Sequence, residues 1–215
     1  MTIKSPLDLT VYVVTDPLLS KGRSHEEVVS LALEGGASAV QLRDKQASTR
    51  ELCEIGLRIK SLTEKWGALF IVNDRVDIAV AIDADGVHVG QDDLPALAAR
   101  RILGPGKVLG VSTENGDQAR QAAAQGASYV AIGPIYEARG SKADAGAPIG
   151  PKAITDLRKH TSLPIVAIGG IKHDRVAEIA RAGAAGVAVI SAIVGADDIV
   201  AATREMKRLF LEGKG

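Results

Sequence analysis

Short apolar runs alternate with segments of helical periodicity, and this alternation recurs along the whole chain. The runs are a few residues long, rich in Val and Ile, and apolar at nearly every position, as strands covered on both faces are. They are Val11–Asp16, Ala39–Lys45, Leu69–Asp74, Gly86–Gly90, Val108–Thr113, Tyr129–Ile135, Pro164–Gly170 and Gly186–Ile193. The alternation favours a parallel sheet with a helix after each strand.

The segments between the runs carry apolar residues at helical spacing and charged residues on the opposite face. They are Ser24–Glu34, Thr49–Trp66, Arg75–Ile82, Leu94–Leu103, Asn115–Gln125, Pro151–His160, Asp174–Ala182 and Asp197–Leu211. Ser24 and Thr49 have the chemistry of helix N-caps, and Pro151 suits a first helical turn.

A repeated junction indicates how the sheet closes. Gly35-Gly36, Gly126 and Gly183 each follow a helix and precede a turn of small residues and a strand. Glycine ends a helix at low cost because it adopts the left-handed conformation, and such short turns lie at the bottom of α/β barrels. We therefore predict a single-domain (β/α)8 TIM barrel over residues 1–215, with the barrel proper at about 11–212. An open doubly wound sheet is the alternative, although no G-x-G-x-x-G follows the first strand.

The charge balance and the single cysteine limit the possible function. Lys+Arg and Asp+Glu number 26 each, which argues against general binding of nucleic acid or anionic membranes. The first residues contain no apolar core of a signal peptide, and no apolar run reaches the roughly 18 residues that span a bilayer. Cys53 has no partner for an internal disulfide. We therefore expect a cytoplasmic protein. The four histidines are scattered along the chain and do not have the spacing of zinc ligands.

The segment from Gln41 to Lys45 carries the strongest indication of a binding site. Side chains alternate along a strand, so Gln41, Arg43 and Lys45 are expected on one face, with Asp44 on the other. An amide and two cations on a buried face are costly unless polar or anionic groups meet them. We predict a pocket for a phosphorylated ligand; salt bridges to neighbouring acids are the alternative.

Polar residues also follow the other strands, whereas the junctions at the opposite end are mostly Gly and Ala. The strand ends carry Asn73-Asp74, Gln91-Asp92-Asp93, Ser112-Thr113, Gly169-Gly170 and Ile190-Ser191. In a (β/α)8 barrel the active site lies at the carboxyl ends of the strands. This asymmetry predicts a catalytic face there.

Two carboxylates are expected to meet at this face. Asp74 and Asp93 end consecutive strands, and two carboxylates with water and ligand phosphate would complete an octahedral site for a hard cation. Asp93 could instead cap the helix that starts at Leu94, and Asp92 fits either role equally well.

Two further segments are candidates for phosphate binding and closure. In phosphate-binding barrels, the regions of Gly169-Gly170 and Ile190-Ser191 supply backbone N–H groups to a phosphate, although a tight turn would also use the glycines. The loop 137–149 carries Arg139 and Lys142 and is either a lid or a disordered surface loop. His88 is expected to be a hydrogen-bonded core histidine.

Several motifs together resemble the thiamine-phosphate synthase (thiamine-phosphate pyrophosphorylase) family. They are Gln41-Leu-Arg-Asp-Lys45, Val72-Asn-Asp74, Gly86-Val-His-Val-Gly-Gln91, Gly133-Pro-Ile-Tyr136, Ala167-Ile-Gly-Gly-Ile171 and Ile190-Ser191. They agree with the family in order and approximate spacing, and the resemblance extends from about Val11 to Phe210.

The resemblance implies an Mg²⁺-dependent transferase of thiamine biosynthesis that joins hydroxymethylpyrimidine pyrophosphate to thiazole phosphate, giving thiamine phosphate and pyrophosphate. It implies that the pyrimidine substrate is held by Gln41, Leu42, Arg43, Asp44, Lys45, Asn73, Ser112 and Lys142. Among these, the implied catalytic residues are Arg43, Lys45, Ser112 and Lys142. The implied thiazole-phosphate residues are Arg139, Gly140, Ser141, Gly170, Ile190 and Ser191. Asp74 and Asp93 would bind Mg²⁺, which favours Asp93 over Asp92.

The family's mechanism fits the cationic strand ends. Pyrophosphate leaves first, and the thiazole nitrogen captures the resulting pyrimidine methylene cation, so neither a strong base nor a protein nucleophile is required. The lid departs from the family pattern Pro-Thr-x-Thr-Lys by one added residue. Ser141 stands in for the second threonine, and Arg139 falls at the first.

Three other functions are compatible with a similar barrel. They are a tautomerase acting on thiazole phosphate alone, a non-catalytic sensor of thiamine phosphates, and a sugar-phosphate isomerase or epimerase. The pyrophosphate and metal residues argue against the first, and no acid–base pair can be assembled for the last outside the proposed metal carboxylates. We expect small-molecule substrates and no nucleic acid or membrane partner, and the sequence is compatible with a homo-oligomer.

Overall fold

A closed barrel of eight parallel strands organises the structure, a computed structural model that describes residues 7–138 and 146–215. Each strand pairs with the next along the chain, and the last pairs with the first through Val11 beside Val187. The strands are β1 Val11–Val14, β2 Ala39–Leu42, β3 Leu69–Asn73, β4 Gly86–Val89, β5 Val108–Thr113, β6 Tyr129–Ile132, β7 Ile165–Ile168 and β8 Gly186–Val189. The predicted (β/α)8 fold is confirmed, and the open sheet is excluded.

Nine helices lie within the described residues. They are α1 His25–Glu34, α2 Thr49–Trp66, α3 Val76–Ala81, α4 Ala96–Leu103, α5 Gly116–Ala124, α6 Lys152–Leu157, α7 His173–Arg181, α8 Ser191–Val194 and α9 Ile199–Lys214. Eight correspond to the predicted segments, and α8 was not predicted. No helix among these residues is long and apolar enough to cross a bilayer. That all of residues 1–215 form one domain stays a prediction.

Most strands end earlier than their apolar runs, and hydrogen bonds explain two of the cases. The Arg43 N–H donates to the Thr15 hydroxyl at 3.1 Å rather than to a backbone carbonyl, so β2 stops at Leu42. The Ile190 carbonyl accepts from the N–H groups of Ile193 and Val194, which turns the chain into α8. The predictions that Arg43 and Lys45 lie on a strand, and that Ile190-Ser191 lies in the eighth strand, are therefore wrong.

Two apolar layers hold the barrel together. The larger lies between strands and helices and includes Val13, Val40 and Phe70, which are fully buried. The smaller fills the barrel interior and includes Tyr12 and Tyr129. Because successive strand residues face opposite ways, every strand except β4 contributes to both layers. This accounts for strands that read as unbroken apolar runs.

The junctions behave largely as their sequences suggested. Gly36, Gly126 and Gly183 have φ of +95°, +85° and +95°, the left-handed region that favours glycine. Ser24 caps α1 by accepting the Glu27 N–H. The assignment of Thr49 as a cap was wrong, because Ser48 caps α2 in a reciprocal capping box with Glu51. Pro151, with φ of −64°, precedes the first residue of α6.

Candidate active site

A cavity of about 1210 Å³ opens at the carboxyl ends of the strands. It brings together ten of the sequence-predicted site residues. They are Gln41, Arg43, Lys45, Asn73, Asp74, Asp93, Ser112, Gly170, Ile190 and Ser191. The position agrees with the general location of active sites in parallel barrels. The asymmetry between strand ends and junctions in the sequence therefore located a real cavity.

The remaining predicted residues are not part of this lining. Leu42 is buried in the layer between strands and helices. Asp44 points away from the cavity. One of its carboxylate oxygens lies 3.2 Å from the His25 ring, and the other accepts the Gln46 N–H. Arg139, Gly140, Ser141 and Lys142 lie outside the described residues. The lid and its alternative therefore stay predictions.

The two cations of the 41–45 segment are paired with acids at the rim. The Arg43 guanidinium contacts Asp16, with Nη1 2.9 Å from Oδ2, and Asp16 is almost fully buried. The Lys45 ammonium contacts the Asp74 carboxylate. The alternative of salt bridges to neighbouring acids is thus realised. Both side chains nevertheless line the cavity, so pairing and access to a ligand coexist.

Asp74 and Asp93 meet as the strand order predicts. Burial, and then the nearby Asp93 carboxylate, raise the pKa of Asp74 above its usual range. One Asp93 oxygen accepts the Gly90 N–H at 2.7 Å. Helix α4 begins at Ala96 after Pro95 without a side-chain cap, so Asp93 is not its cap. The close approach of two carboxylates leaves negative charge that a cation would neutralise.

The donor set around Asp74 suits a metal held partly by its ligand. No group of three or more His, Cys, Asp or Glu side chains is arranged to hold a metal ion in the described ranges 7–138 and 146–215. Magnesium commonly takes one or two protein carboxylates and fills its octahedron with water and substrate phosphate. Two carboxylates beside cationic side chains fit that pattern, whereas they do not form a closed structural site.

A chain of polar side chains crosses the barrel interior, and all of its members except Tyr129 line the cavity. The Gln41 amide donates to the Tyr12 hydroxyl at 2.7 Å, which lies 3.0 Å from the Tyr129 hydroxyl. Tyr129 lies 3.0 Å from His88 Nδ1, and His88 Nε2 lies 2.9 Å from the Ser112 hydroxyl. The expectation that His88 is a hydrogen-bonded core histidine is confirmed. Burial lowers the pKa of His88 to about 4, so its ring is neutral near pH 7.

Sequence reasoning missed Tyr12 and Tyr129, although both occupy strands. An aromatic residue with a hydroxyl inside a run of Val and Ile was the available signal, because a buried hydroxyl needs a partner. Both tyrosines are essentially fully buried, and burial raises the pKa of each hydroxyl. They therefore remain protonated and act as hydrogen-bond donors.

The opposite side of the cavity is built from glycines and a helix start. Gly169 and Gly170 have φ of +95° and +64°. A Cβ on Gly170 would lie 2.5 Å from the Glu137 carbonyl oxygen, so the tight turn is realised. Lys172, which precedes α7 without capping it, and Arg175 also line the cavity and were not predicted. This side is thus both close-packed and cationic.

A parallel barrel whose strand ends enclose cations, paired carboxylates and a glycine turn is characteristic of enzymes that act on phosphorylated small molecules. The model of the thiamine monophosphate synthase family matches residues 11–193. The chain belongs to that family.

Individual relatives agree along nearly their whole length. A thiamine-phosphate synthase of Chloroflexus aurantiacus is 52% identical over 209 residues, covering 97% of this chain and 96% of the relative. One of Moorella thermoacetica is 51% identical over 205 residues, covering 95% and 97%. The structure of a thiamine phosphate pyrophosphorylase from Pyrococcus furiosus superimposes with a TM-score of 0.88 at 39% identity, covering 97% of this chain and 98% of that one.

Proposed function

We propose that this barrel joins hydroxymethylpyrimidine pyrophosphate to thiazole phosphate, releasing pyrophosphate and thiamine phosphate. The synthase function and its transferase class follow from the family and from relatives about half identical in sequence. The observation that best supports these substrates is the shared cavity in which Arg43 and Lys45 lie beside the Asp74–Asp93 pair. At about 1210 Å³, the cavity exceeds the usual size for one small ligand.

In this proposal, each substrate has its own side of the cavity. The pyrimidine ring is held by Gln41, Asn73 and Ser112, and its diphosphate by Arg43 and Lys45, with Lys142 joining from the lid. The thiazole phosphate is held by backbone N–H groups near Gly170, Ile190 and Ser191. Arg139, Gly140 and Ser141 would complete that side. Support comes from the lining of the cavity, in which all of the described members of both sets occur.

Asp74 and Asp93 would hold Mg²⁺, as their close approach and the raised pKa of Asp74 suggest. When bound, the ion supplies charge stabilisation to the departing diphosphate. Arg43 and Lys45 add to this by binding diphosphate oxygens with charge-assisted hydrogen bonds. To bind the diphosphate, Arg43 would give up part of its contact with Asp16, and Lys45 part of its contact with Asp74.

The reaction needs no proton transfer by the protein. The bond between the pyrimidine methylene carbon and the diphosphate oxygen breaks, and the electron pair stays with the diphosphate. The thiazole nitrogen then donates its lone pair to the methylene carbon and becomes a thiazolium. The protein's tasks are to align the two rings and to exclude water. This agrees with the neutral His88 and with buried tyrosines that stay protonated.

We further propose that the enzyme works in the cytoplasm on small molecules rather than on nucleic acid or membranes. Its single cysteine and its equal numbers of acidic and basic residues support this setting.

A coupling assay tests the proposal. Purified protein is mixed with both substrates and Mg²⁺, and thiamine phosphate is detected after oxidation to fluorescent thiochrome; EDTA is added in one arm. Arg43→Gln is compared with Arg58→Gln, which removes an arginine paired with Glu26 outside the cavity. We expect product that requires metal, with kcat/KM falling roughly a hundredfold in the first variant and changing little in the second.

Different results would overturn different parts of the proposal. Absence of product from folded wild-type protein would contradict the synthase reaction. Metal-independent conversion of thiazole phosphate alone would identify a tautomerase instead. Product that is unaffected by EDTA would exclude the assigned role of Asp74 and Asp93.

A further inference from the structure

We infer that Tyr12, Tyr129 and His88 form a one-directional hydrogen-bond relay that fixes Gln41 as an acceptor and Ser112 as a donor toward the pyrimidine ring. The inference rests on the proposed function and deepens it, because it concerns how that function's substrate is recognised. Tyr12 and His88 line the cavity and Tyr129 does not. We assign all three a positioning role, because in this inference they act by orienting Gln41 and Ser112. The relay consists of four consecutive contacts of 2.7, 3.0, 3.0 and 2.9 Å.

The direction follows from counting hydrogens. The Gln41 amide nitrogen donates to Tyr12. Each tyrosine hydroxyl has one hydrogen, so Tyr12 donates to Tyr129, and Tyr129 donates to His88 Nδ1. A neutral histidine that accepts at Nδ1 carries its hydrogen on Nε2, which therefore donates to the Ser112 hydroxyl. With the Gln41 amide in this orientation, every other assignment leaves a relay hydrogen without an acceptor, at a cost of about 1–3 kcal/mol if it is buried.

The relay determines what the cavity offers to a ligand. The Gln41 amide has spent one N–H on Tyr12, so its carbonyl oxygen is available to accept. The Ser112 oxygen has accepted from His88, so its O–H is available to donate. An aminopyrimidine matches this pair, because its amino group donates and its ring nitrogens accept. The recognised class is thus a heterocycle that offers a donor to Gln41 and an acceptor to Ser112, as an amino-substituted pyrimidine does.

The surroundings of the relay keep it rigid. Tyr12, Tyr129 and His88 are all buried, and no buried side-chain N or O atom in the described part of the chain lacks a partner. The His88 and Tyr129 rings stack with centroids 5.6 Å apart. A Cβ on Gly110 would lie 2.2 Å from the Tyr129 hydroxyl and 2.5 Å from His88 Nδ1, so the glycine makes room for the contact.

Histidine nitrogen NMR on the wild-type protein tests the direction without a variant of the relay. The spectrum of a His88→Gln variant assigns the resonances, and the neutral tautomer is read from the nitrogen shifts. We expect the hydrogen on Nε2. A hydrogen on Nδ1 would mean that Ser112 donates inward, which would overturn the inference even if the enzyme makes thiamine phosphate.

Tyr129→Phe tests the consequence for binding, and Tyr136→Phe is the matched control. Tyr136 loses the same hydroxyl, but its partner is Glu178, at 2.8 Å, outside the relay. Titration with the unphosphorylated aminopyrimidine alcohol isolates the ring from the diphosphate and metal. Tyr129→Phe removes both relay contacts of the Tyr129 hydroxyl. We expect about tenfold weaker binding, the equivalent of one hydrogen bond to the ligand, and no change in the control.

Kinetics separate this inference from the proposed function. In Tyr129→Phe the KM for the pyrimidine substrate should rise about tenfold, and the KM for thiazole phosphate should stay constant. An active wild-type enzyme with unchanged KM values in Tyr129→Phe would contradict the relay alone. An inactive wild-type enzyme would contradict the proposed function, while the tautomer and titration would still test the relay.

Discussion

The two ends of the barrel use charge in opposite ways. At the amino ends of the strands, Arg100 donates to the backbone carbonyls of Gly104, Lys107 and Gly126 at 2.7–3.0 Å. Asp83 there accepts from both Lys60 and Lys107. At the carboxyl ends, the Asp74 carboxylate faces Asp93 as well as Lys45. At the amino ends, the charged groups are paired with opposite charges or backbone carbonyls. At the carboxyl ends, two carboxylates remain in contact, and a bound cation would reduce their repulsion.

The largest expected effect is that of Asp74→Asn on catalysis. Removing the charge should lower kcat/KM roughly a hundredfold or more, because charge stabilisation of the leaving diphosphate is lost. The melting temperature should stay constant or rise, since a buried like-charge contact disappears. Steady-state kinetics and thermal unfolding are measured on the same preparation. A variant that loses stability together with activity would mean that Asp74 serves the fold.

At the amino ends of the strands, Arg100→Met is expected to lower stability and to leave activity unchanged, the opposite of Asp74→Asn. The guanidinium bridges the junction that precedes β5 and the junction that follows α5. Its loss therefore leaves three backbone carbonyls without their charged donor. We expect the free energy of unfolding to fall by about 2 kcal/mol, with kcat/KM within twofold of the wild-type value. Urea denaturation measures the first quantity and the coupling assay the second. Loss of activity at full stability would abolish the contrast between the two ends.

The smallest effect concerns the pH dependence of stability. Asp74 has a raised pKa in the folded state, so its contribution is present at low pH and is lost as pH rises through that folded value. Two lysines lower the pKa of Asp83 to about 2, so its contribution is present above the ordinary value of 3.8 and is lost as pH falls toward 2.

Near neutral pH in EDTA, Asp74→Asn should therefore be at least as stable as the wild type, and Asp83→Asn should be less stable. Asp83 is 63% exposed, so its loss should remain below about 1 kcal/mol. Urea denaturation between pH 3 and pH 7 measures both. If both variants were more stable than the wild type near pH 7, or both less stable, the predicted opposite contributions of Asp74 and Asp83 would be refuted.

The sequence predicted the barrel well because its signals were local. Apolar runs, helical periodicity and the glycine junctions each depend on a few neighbouring residues, and eight repetitions reinforce one another. Strand limits were less predictable: β2 ends at Leu42 because the Thr15 hydroxyl, distant in sequence, takes the next N–H. The short α8 was hidden because Ile190–Ile193 is apolar enough to continue a strand.

Those parts of the site that depend on strand order could be predicted, whereas those that depend on contacts between distant residues could not. Parallel strand order placed Asp74 beside the Asp92-Asp93 pair, and the family resemblance favoured Asp93 of the two. The pairing of Arg43 with Asp16 and the contact of Tyr12 with Tyr129 join residues 27 and 117 positions apart. Such contacts depend on side-chain orientation across the barrel, which periodicity does not specify. Lys172 and Arg175 were missed because a cation near a helix start is common on any surface.

Gly110 has a consequence for anyone who would redesign this barrel. At that position strand β5 supplies no side chain, and the His88 and Tyr129 rings occupy the space. At this point the His88 ring, backed by Tyr129, lines the cavity in place of a β5 side chain. Smaller residues at those positions would deepen the chamber toward longer heterocycles while the strand ends and their phosphate chemistry stay in place.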